Sequence, residues 1–388
     1  MIANKYINSV FENSKDLLRK TSFYKIRAIK KKQVMSFSDI NDILNEAPPL
    51  LLSKDLTKKP YIGIVKTQSF DVGNDYENPR ASWLRYERFC KNNDIPYGFY
   101  DIKKSNWLEE AKPYDIIICH TEGTPAYQEM FESKVYVLES ILKKHCFPSF
   151  HEVWQYEDKN RSNYLYQCYQ LPTIPTLITH DKKEATSICE KLGYPFITKN
   201  TIGAGSSGVR KVDTKRQSRH LIRQIFSKSG LDTQYLYQNQ KDYFYYQNFI
   251  EDATFDLRIM LVGDMAFGYY RYPNKDDFRA SGSGNFEKKA IPIDALKLAI
   301  EVRNKLQSRQ MGVDLLYSEK YSQYFIIETS LFNQIDSPIQ LEIENEPGYY
   351  DITDVNNICF KKGKFWIQEL VLRDIVIQWS SNNHQATI

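Results

Sequence analysis

Gly312-Val-Asp-Leu-Leu-Tyr317 and Tyr324-Phe-Ile-Ile-Glu-Thr-Ser330 are two apolar runs, each interrupted by one carboxylate and separated by a short polar segment. Branched and aromatic residues on both sides of a polar turn read as a β-hairpin. With Glu319 to Gln323 as the connection, the register sets Asp314 directly opposite Glu328. Opposed Cβ atoms lie about 4.5–5.5 Å apart, and like charges so placed destabilise a hairpin. One such acid can be accounted for by an ion pair. Two, face to face, call for a shared proton or a divalent cation, unless both simply face solvent on an edge hairpin. A few carboxylates completed by water and phosphate are how magnesium is held in nucleotide enzymes.

Upstream, Gly203-Ala-Gly205-Ser206-Ser207-Gly208 follows the strand-like Phe196-Ile-Thr-Lys199 and precedes the alternating run Val209-Arg-Lys-Val212. A dinucleotide-binding loop requires a helix after the glycines, so a Rossmann dehydrogenase is disfavoured. Strand, glycine loop and strand form a flexible flap whose backbone N–H groups and serine hydroxyls can close over phosphates. Lys199 lies in an otherwise apolar strand, and a buried ammonium needs an anionic partner. Arg258, in Asp256-Leu-Arg258, Arg271 and Arg279 come from strand ends and a second glycine–serine loop. Converging guanidinium groups suit a phosphoryl or carboxylate site.

Around this set, 388 residues are too many for one comfortable core and point to two or three domains. Apolar residues make up 42 % and charged residues 26 %, which excludes wholesale disorder. A net charge of +4 is too balanced for a nucleic-acid partner. The basic excess is local: residues 1–59 hold twelve Lys/Arg against six Asp/Glu. That segment reads as a mostly helical extension with a partial stripe of Val10, Phe11, Leu17 and Leu18. Its Lys30-Lys31-Lys32 run suits a solvated face or, more weakly, peripheral attraction to an anionic membrane. No apolar run is long enough to span a bilayer, and the first residues lack a signal peptide's apolar core. Six scattered cysteines without metal spacing read as free thiols in a reducing, cytoplasmic setting. His120, His151 and His180 receive no role.

Residues 60–147 alternate short apolar strands (Tyr61–Lys66, Tyr97–Ile102, Asp115–His120) with helices, the pattern of a small parallel sheet. Residues 148–340 carry the glycine loop, the arginines and the hairpin, with a lid subdomain at about 180–250. Residues 341–388 end in a helix from Phe365 to Trp379 whose Ile367, Val371, Ile375 and Trp379 share one face, so it is expected to dock on the body.

The ordered set Lys159, Lys199 with Gly203–Gly208, Tyr246-Gln-Asn-Phe-Ile-Glu251, Asp256-Leu-Arg258, Arg271, Phe278-Arg279 with Asn285, and Asp314 with Glu328 resembles the ATP-grasp superfamily. The likeness is to its carboxylate–amine ligases related to glutathione synthetase and the ribosomal-protein glutamate ligase, over roughly residues 148–335. Phe278-Arg-Ala-Ser-Gly-Ser-Gly and Pro347-Gly-Tyr-Tyr-Asp351 further resemble a bacterial subgroup found among surface-polysaccharide genes.

The resemblance implies an α/β (α+β) chain: an ATP-grasp fold preceded by a small parallel α/β domain. It implies that Lys159 and Lys199 contact ATP phosphates beneath a lid of residues 203–208. Gln247, Phe249 and Ile250 would line the adenine, with Glu251 at the ribose. Arg258, Arg271, Arg279 and Asn285 would serve the transferred phosphoryl group or acyl phosphate. Asp314 and Glu328 would hold magnesium, for which manganese can substitute. The family's usual Glu-x-Asn is here Glu328-Thr-Ser330, so a second ion would fall to Ser330, Asn333 or water, leaving one or two ions. The expected activity is amide formation between a small carboxylate, a sugar acid or amino acid, and an amine, in a chain whose base-rate assembly is a homodimer. A phosphotransferase acting on a hydroxyl and a non-catalytic nucleotide-binding protein are the alternatives.

Overall fold

The computed structural model describes residues 37–52, 56, 58–66, 81–119, 125–203, 206, 208–235, 238–331 and 337–385. The expectations for Val10 to Lys32, and those for His120, Gly205, Ser207 and Asn333, lie outside the described residues. The chain divides into two compact units. The first, Met1–Leu44 with Gln68–Ala81, contributes helix α1 (Phe37–Leu44). All elements that follow belong to the second.

A parallel sheet comes first. Strands β1 (Ile62–Val65), β2 (Tyr97–Tyr100), β3 (Ile116–Ile118) and β4 (His145–Phe147) lie in the order β2-β1-β3-β4. Every neighbouring pair runs parallel. Between them run α2 (Ser82–Asn92), α3 (Trp107–Ala111) and α4 (Pro125–Tyr136), the last continuing into a π-helical turn at Val137–Ile141. Ile117, Tyr127, Phe131, Val135 and Leu138 are fully buried between sheet and helices, which explains the unbroken apolar runs.

Helix α5 (Phe150–Gln155) opens with a reciprocal capping box between Ser149 and Glu152. Helix α6 (Lys159–Cys168) is capped by Asp158, whose carboxylate accepts from the backbone of Asn160 and Arg161. The lid sheet follows, formed by β5 (Thr176–Thr179), β6 (Phe196–Lys199), β7 (Val209–Val212) and β8 (Phe244–Asn248) in the order β5-β8-β6-β7. Helices α7 (Lys182–Leu192) and α8 (Lys215–Ile225) bury Ile188, Leu221 and Ile225 with Phe196 and Phe244 of that sheet.

The largest sheet is built on β9 (Asp256–Val262), β10 (Met265–Arg271), the short β11 (Phe286–Glu287), β12 (Gln310–Ser318) and β13 (Gln323–Ser330). Strands β14 (Glu342–Ile343), β15 (Glu346–Asp351) and β16 (Cys359–Lys362) extend it beyond β10. Helix α9 (Ile293–Lys305) supplies Leu296, Ala299 and Ile300 to the core. Helix α10 (Ile367–Gln385) meets α2 through Arg88, which pairs with Glu369 at 2.7 Å, and just before the helix the Trp366 ring centre lies 4.2 Å from the buried Arg85 guanidinium.

Asp314 does oppose Glu328, by a different route from the one expected. The turn is Glu319 to Ser322, one residue shorter, which alone would slip the register and turn one acid to the other face. A bulge at Ile327 takes up the slip: Leu315 pairs with Ile326, while Asp314 pairs with Glu328.

Candidate active site

A cleft with about 1060 Å³ of space, mouth included, lies between the lid sheet and the large sheet. Its deep end is apolar, lined by Ile174, Ile197, Ile250 and Leu316, with Phe249 edge-on to Phe278. Its polar end holds Lys159, Lys199, Asp256, Arg271, Asp314 and Glu328.

The polar end follows from strand register. Across β13, β12 and β9, Glu328, Asp314 and Arg258 occupy one row. Across β9 and β10, Asp256 faces Arg271. Asp256 and Arg258, two apart, share a face of β9. The Asp314 carboxylate therefore accepts from Arg258 Nε and Nη2, both at 2.7 Å, and from Arg271 Nη2 at 2.8 Å. Arg271 Nε donates to Asp256. Glu328 turns instead to the Lys159 ammonium at 3.3 Å. The repulsion between the opposed acids is thus offset by giving them separate cationic partners, two arginines for Asp314 and a lysine for Glu328, an arrangement the hairpin sequence alone does not specify.

Electrostatics follow burial and partners. Burial alone would raise the Asp314 carboxyl, but Arg258 and Arg271 overcome it and hold the group well below the usual carboxylate range. Asp256 is pushed up to about 6, mainly by burial, against the pull of Arg271. Glu157 is pushed up to about 7 by burial and by Glu328. For Lys159, burial works against the charge, yet Glu328 and Glu157 more than offset it and the ammonium is stabilised. Lys199 is pushed down to about 8 by burial, only partly countered by Glu328. It makes no ion pair among the described residues and sits 5.8 Å from the Tyr245 ring centre.

The flap is a hairpin, as its sequence indicates: Lys199 pairs with Val209 across β6 and β7. Its root is tied to α6, because Lys159 N donates to Thr201 O at 2.9 Å and Lys159 Nζ to Gly203 O at 2.6 Å. Ser206 adopts a left-handed backbone (φ 58°), and Gly208 has no room for a Cβ, which would sit 2.7 Å from the Asn200 side chain.

The structure brings Lys159, Lys199, Gly203, Ser206, Gly208, Gln247, Phe249, Ile250, Arg271, Arg279, Asp314 and Glu328 to the cleft wall. Gln247 presents little side-chain polarity there, since its amide donates to Thr176 Oγ1 at 2.9 Å. Arg258 does not line the cleft and gives its Nε and Nη2 to Asp314. Arg279 is held by Asp277 at 2.8 Å on the rim. Glu251 is exposed and does not line the cleft. Asn285 is turned to Asn274, its amide donating at 2.8 Å to brace the 272–285 loop. Ser330 pairs with Gly312, two residues beyond Glu328, and does not line the cleft. Sequence reasoning gave no role to Asp256, Glu157 or Asn200. Asp256 carried a signal, its same-face spacing from Arg258; Glu157 and Asn200 gain their surroundings only from tertiary packing.

Among the described residues, no group of three or more His, Cys, Asp or Glu side chains is arranged to hold a metal ion. Two facing carboxylates still fit magnesium, which takes one or two protein carboxylates and completes its shell with phosphate and water. An ionised carboxylate offers about four lone-pair sites. The three arginine bonds leave one on Asp314 Oδ1, enough for a single metal contact.

Residues 156–349 match the RimK-like ATP-grasp domain model, which is half of the chain. The α-aminoadipate–LysW ligase LysX of Saccharolobus solfataricus is 26 % identical over 224 residues, covering 55 % of this chain and 69 % of that protein. Its counterpart in Sulfolobus acidocaldarius is 24 % identical over 216 residues, covering 51 % and 74 %. Among solved structures, the D-cycloserine synthetase DcsG superposes with a TM-score of 0.53 at 12 % identity, over 81 % of this chain and 98 % of that one. The chain belongs to the RimK-like ATP-grasp family. It is an ATP-dependent carboxylate–amine ligase that forms carbon–nitrogen bonds.

Proposed function

We propose that the chain activates a small-molecule carboxylate as its acyl phosphate and passes the acyl group to an amine. The carboxylate oxygen attacks the γ-phosphorus of ATP and ADP leaves. The amine then attacks the acyl carbon, and inorganic phosphate departs as the amide forms. Lys159, Lys199 and the flap residues Gly203, Ser206 and Gly208 bind and orient the phosphates. The apolar end, with Phe249 and Ile250, takes the adenine. Asp314 and Glu328 hold magnesium, which when bound supplies charge neutralisation at the phosphates. Arg258 positions Asp314, while Arg271 and Arg279 face the transferred group. The observation that carries this reading is the Asp314–Glu328 pair facing Lys159 and Lys199 in one cleft.

The likeness to ligases of α-aminoadipate supports an amino-acid-like substrate, and the resemblance of Phe278-Arg-Ala-Ser-Gly-Ser-Gly to a surface-polysaccharide subgroup supports a sugar acid. ADP release from the full chain, screened with carboxylate and amine pools together and singly, tests the proposal. Release that requires both pools, with an amide product by mass spectrometry, is expected. A phosphate ester on a hydroxyl, formed without amine and not trapped by hydroxylamine as an acyl phosphate would be, would reassign the chemistry to phosphoryl transfer onto the acceptor.

A further inference from the structure

The lid subdomain holds a second, smaller cavity on the far side of the flap root. Asn200 and Ile202 line both this cavity and the nucleotide cleft, so they form the shared wall. Apart from Ile202, the described side chains facing it are amides and hydroxyls, with no charged group among the described residues. Several are buried without partners. Gln240 is 2 % exposed and neither its Nε2 nor its Oε1 has a hydrogen bond; Asn200 is 4 % exposed with Oδ1 unpaired. Gln238 Oε1 is also unpaired.

These amides are not needed to hold the loop. Leu231 and Gln240 exchange backbone hydrogen bonds at 2.9 and 2.8 Å, and Asn239 Nδ2 donates to Ser229 O at 2.9 Å. Tyr243 OH accepts from Thr201 N at 2.7 Å. Unpaired polar atoms in a native interior are uncommon and call for an occupant. The occupant must donate to three amide oxygens and accept from one amide nitrogen, without a charge for the lining to neutralise. Hydroxyl groups do both. Gln238 and Ile202 also line a wider groove beside α4, where the exposed Tyr136 and the half-buried Phe150 offer aromatic surface for the C–H side of a ring.

We propose that this cavity is a second ligand site, taking a neutral, hydroxyl-rich molecule such as a sugar, with Asn200 relaying its occupancy to the flap beside Lys199. This stands apart from the ligase proposal and does not depend on it.

The full chain is titrated with glucose, sorbitol and glycerol, and with betaine as an osmolyte without hydroxyls, by saturation-transfer NMR. Thermal shift runs alongside, where generic osmolyte stabilisation acts on every variant alike. A saturable signal from glucose, shared or not by the open-chain polyols and absent for betaine, is expected. It should weaken at least tenfold in Gln240→Leu and Gln238→Leu, both retaining ATP binding. If Gln240→Leu does not fold, the half-buried Gln238→Leu decides alone. No saturable signal, or equal saturation in wild type and variants, means that the cavity holds water only and overturns the proposal.

Discussion

Asp314→Asn separates the two demands placed on the floor of the cleft. In the structure Asp314 satisfies two guanidinium groups, with side-chain exposures of 9 % for the acid, 22 % for Arg258 and 10 % for Arg271. Removing one partner of a buried charge set costs about 3–5 kcal/mol, because the remaining charges lose their compensation. Asparagine keeps one acceptor oxygen and Arg271 keeps Asp256, so the low end, about 3 kcal/mol, is expected. Glu328 is 31 % exposed and makes one contact at 3.3 Å, so Glu328→Gln should cost only about 1 kcal/mol. At about 2 °C per kcal/mol for a body of this size, melting should fall by about 6 °C in the first variant and about 2 °C in the second.

Both variants should lose amine-dependent ADP release. The gap should also depend on pH. Because its folded-state pKa is depressed, Asp314 contributes stability that is full above the ordinary carboxylate value, about 3.9, and is lost as pH falls below it. Wild type and Asp314→Asn should therefore converge in acid. Equal melting of the two at neutral pH would refute the arginine clamp, and undiminished turnover in both variants would refute the metal assignment.

Two further outcomes follow from the flap side. Lys199 is pushed down to about 8 in the free protein, and bound phosphate raises it again, so its contribution to ATP affinity should be constant below pH 8 and weaken up to tenfold per unit above; a calorimetric pH series in which Lys199→Arg shows the same fall above pH 8 would remove Lys199 as its source. Gly208→Ala would place a methyl 2.7 Å from the Asn200 side chain; displacement of the flap should raise the KM for ATP by about tenfold with melting little changed, whereas an unaltered KM would show that the flap does not depend on this contact.

The chain's own pattern determined a good deal. Continuous apolar strands gave the parallel sheet of residues 62–147, since strands buried on both faces cannot alternate. The helix over Lys182–Leu192 and the strands Phe196–Lys199 and Val209–Val212 were legible to the residue, because capping by Asp181 and glycine punctuation are local signals. The lysine, glycine loop and acid pair were recognisable because their chemistry is unusual in apolar strands.

Tertiary structure alone decided which charge meets which. The placement of β9 beside β12 sets Arg258 against Asp314, and no spacing along the chain encodes a pairing between residues 56 apart. It also decided that Asn285 braces a loop, that Glu157 lies close enough to Glu328 to feel its charge, and that a bulge at Ile327 keeps two acids on one face. Local sequence fixes which way a side chain points from its strand. Only packing of distant strands fixes what lies there to receive it.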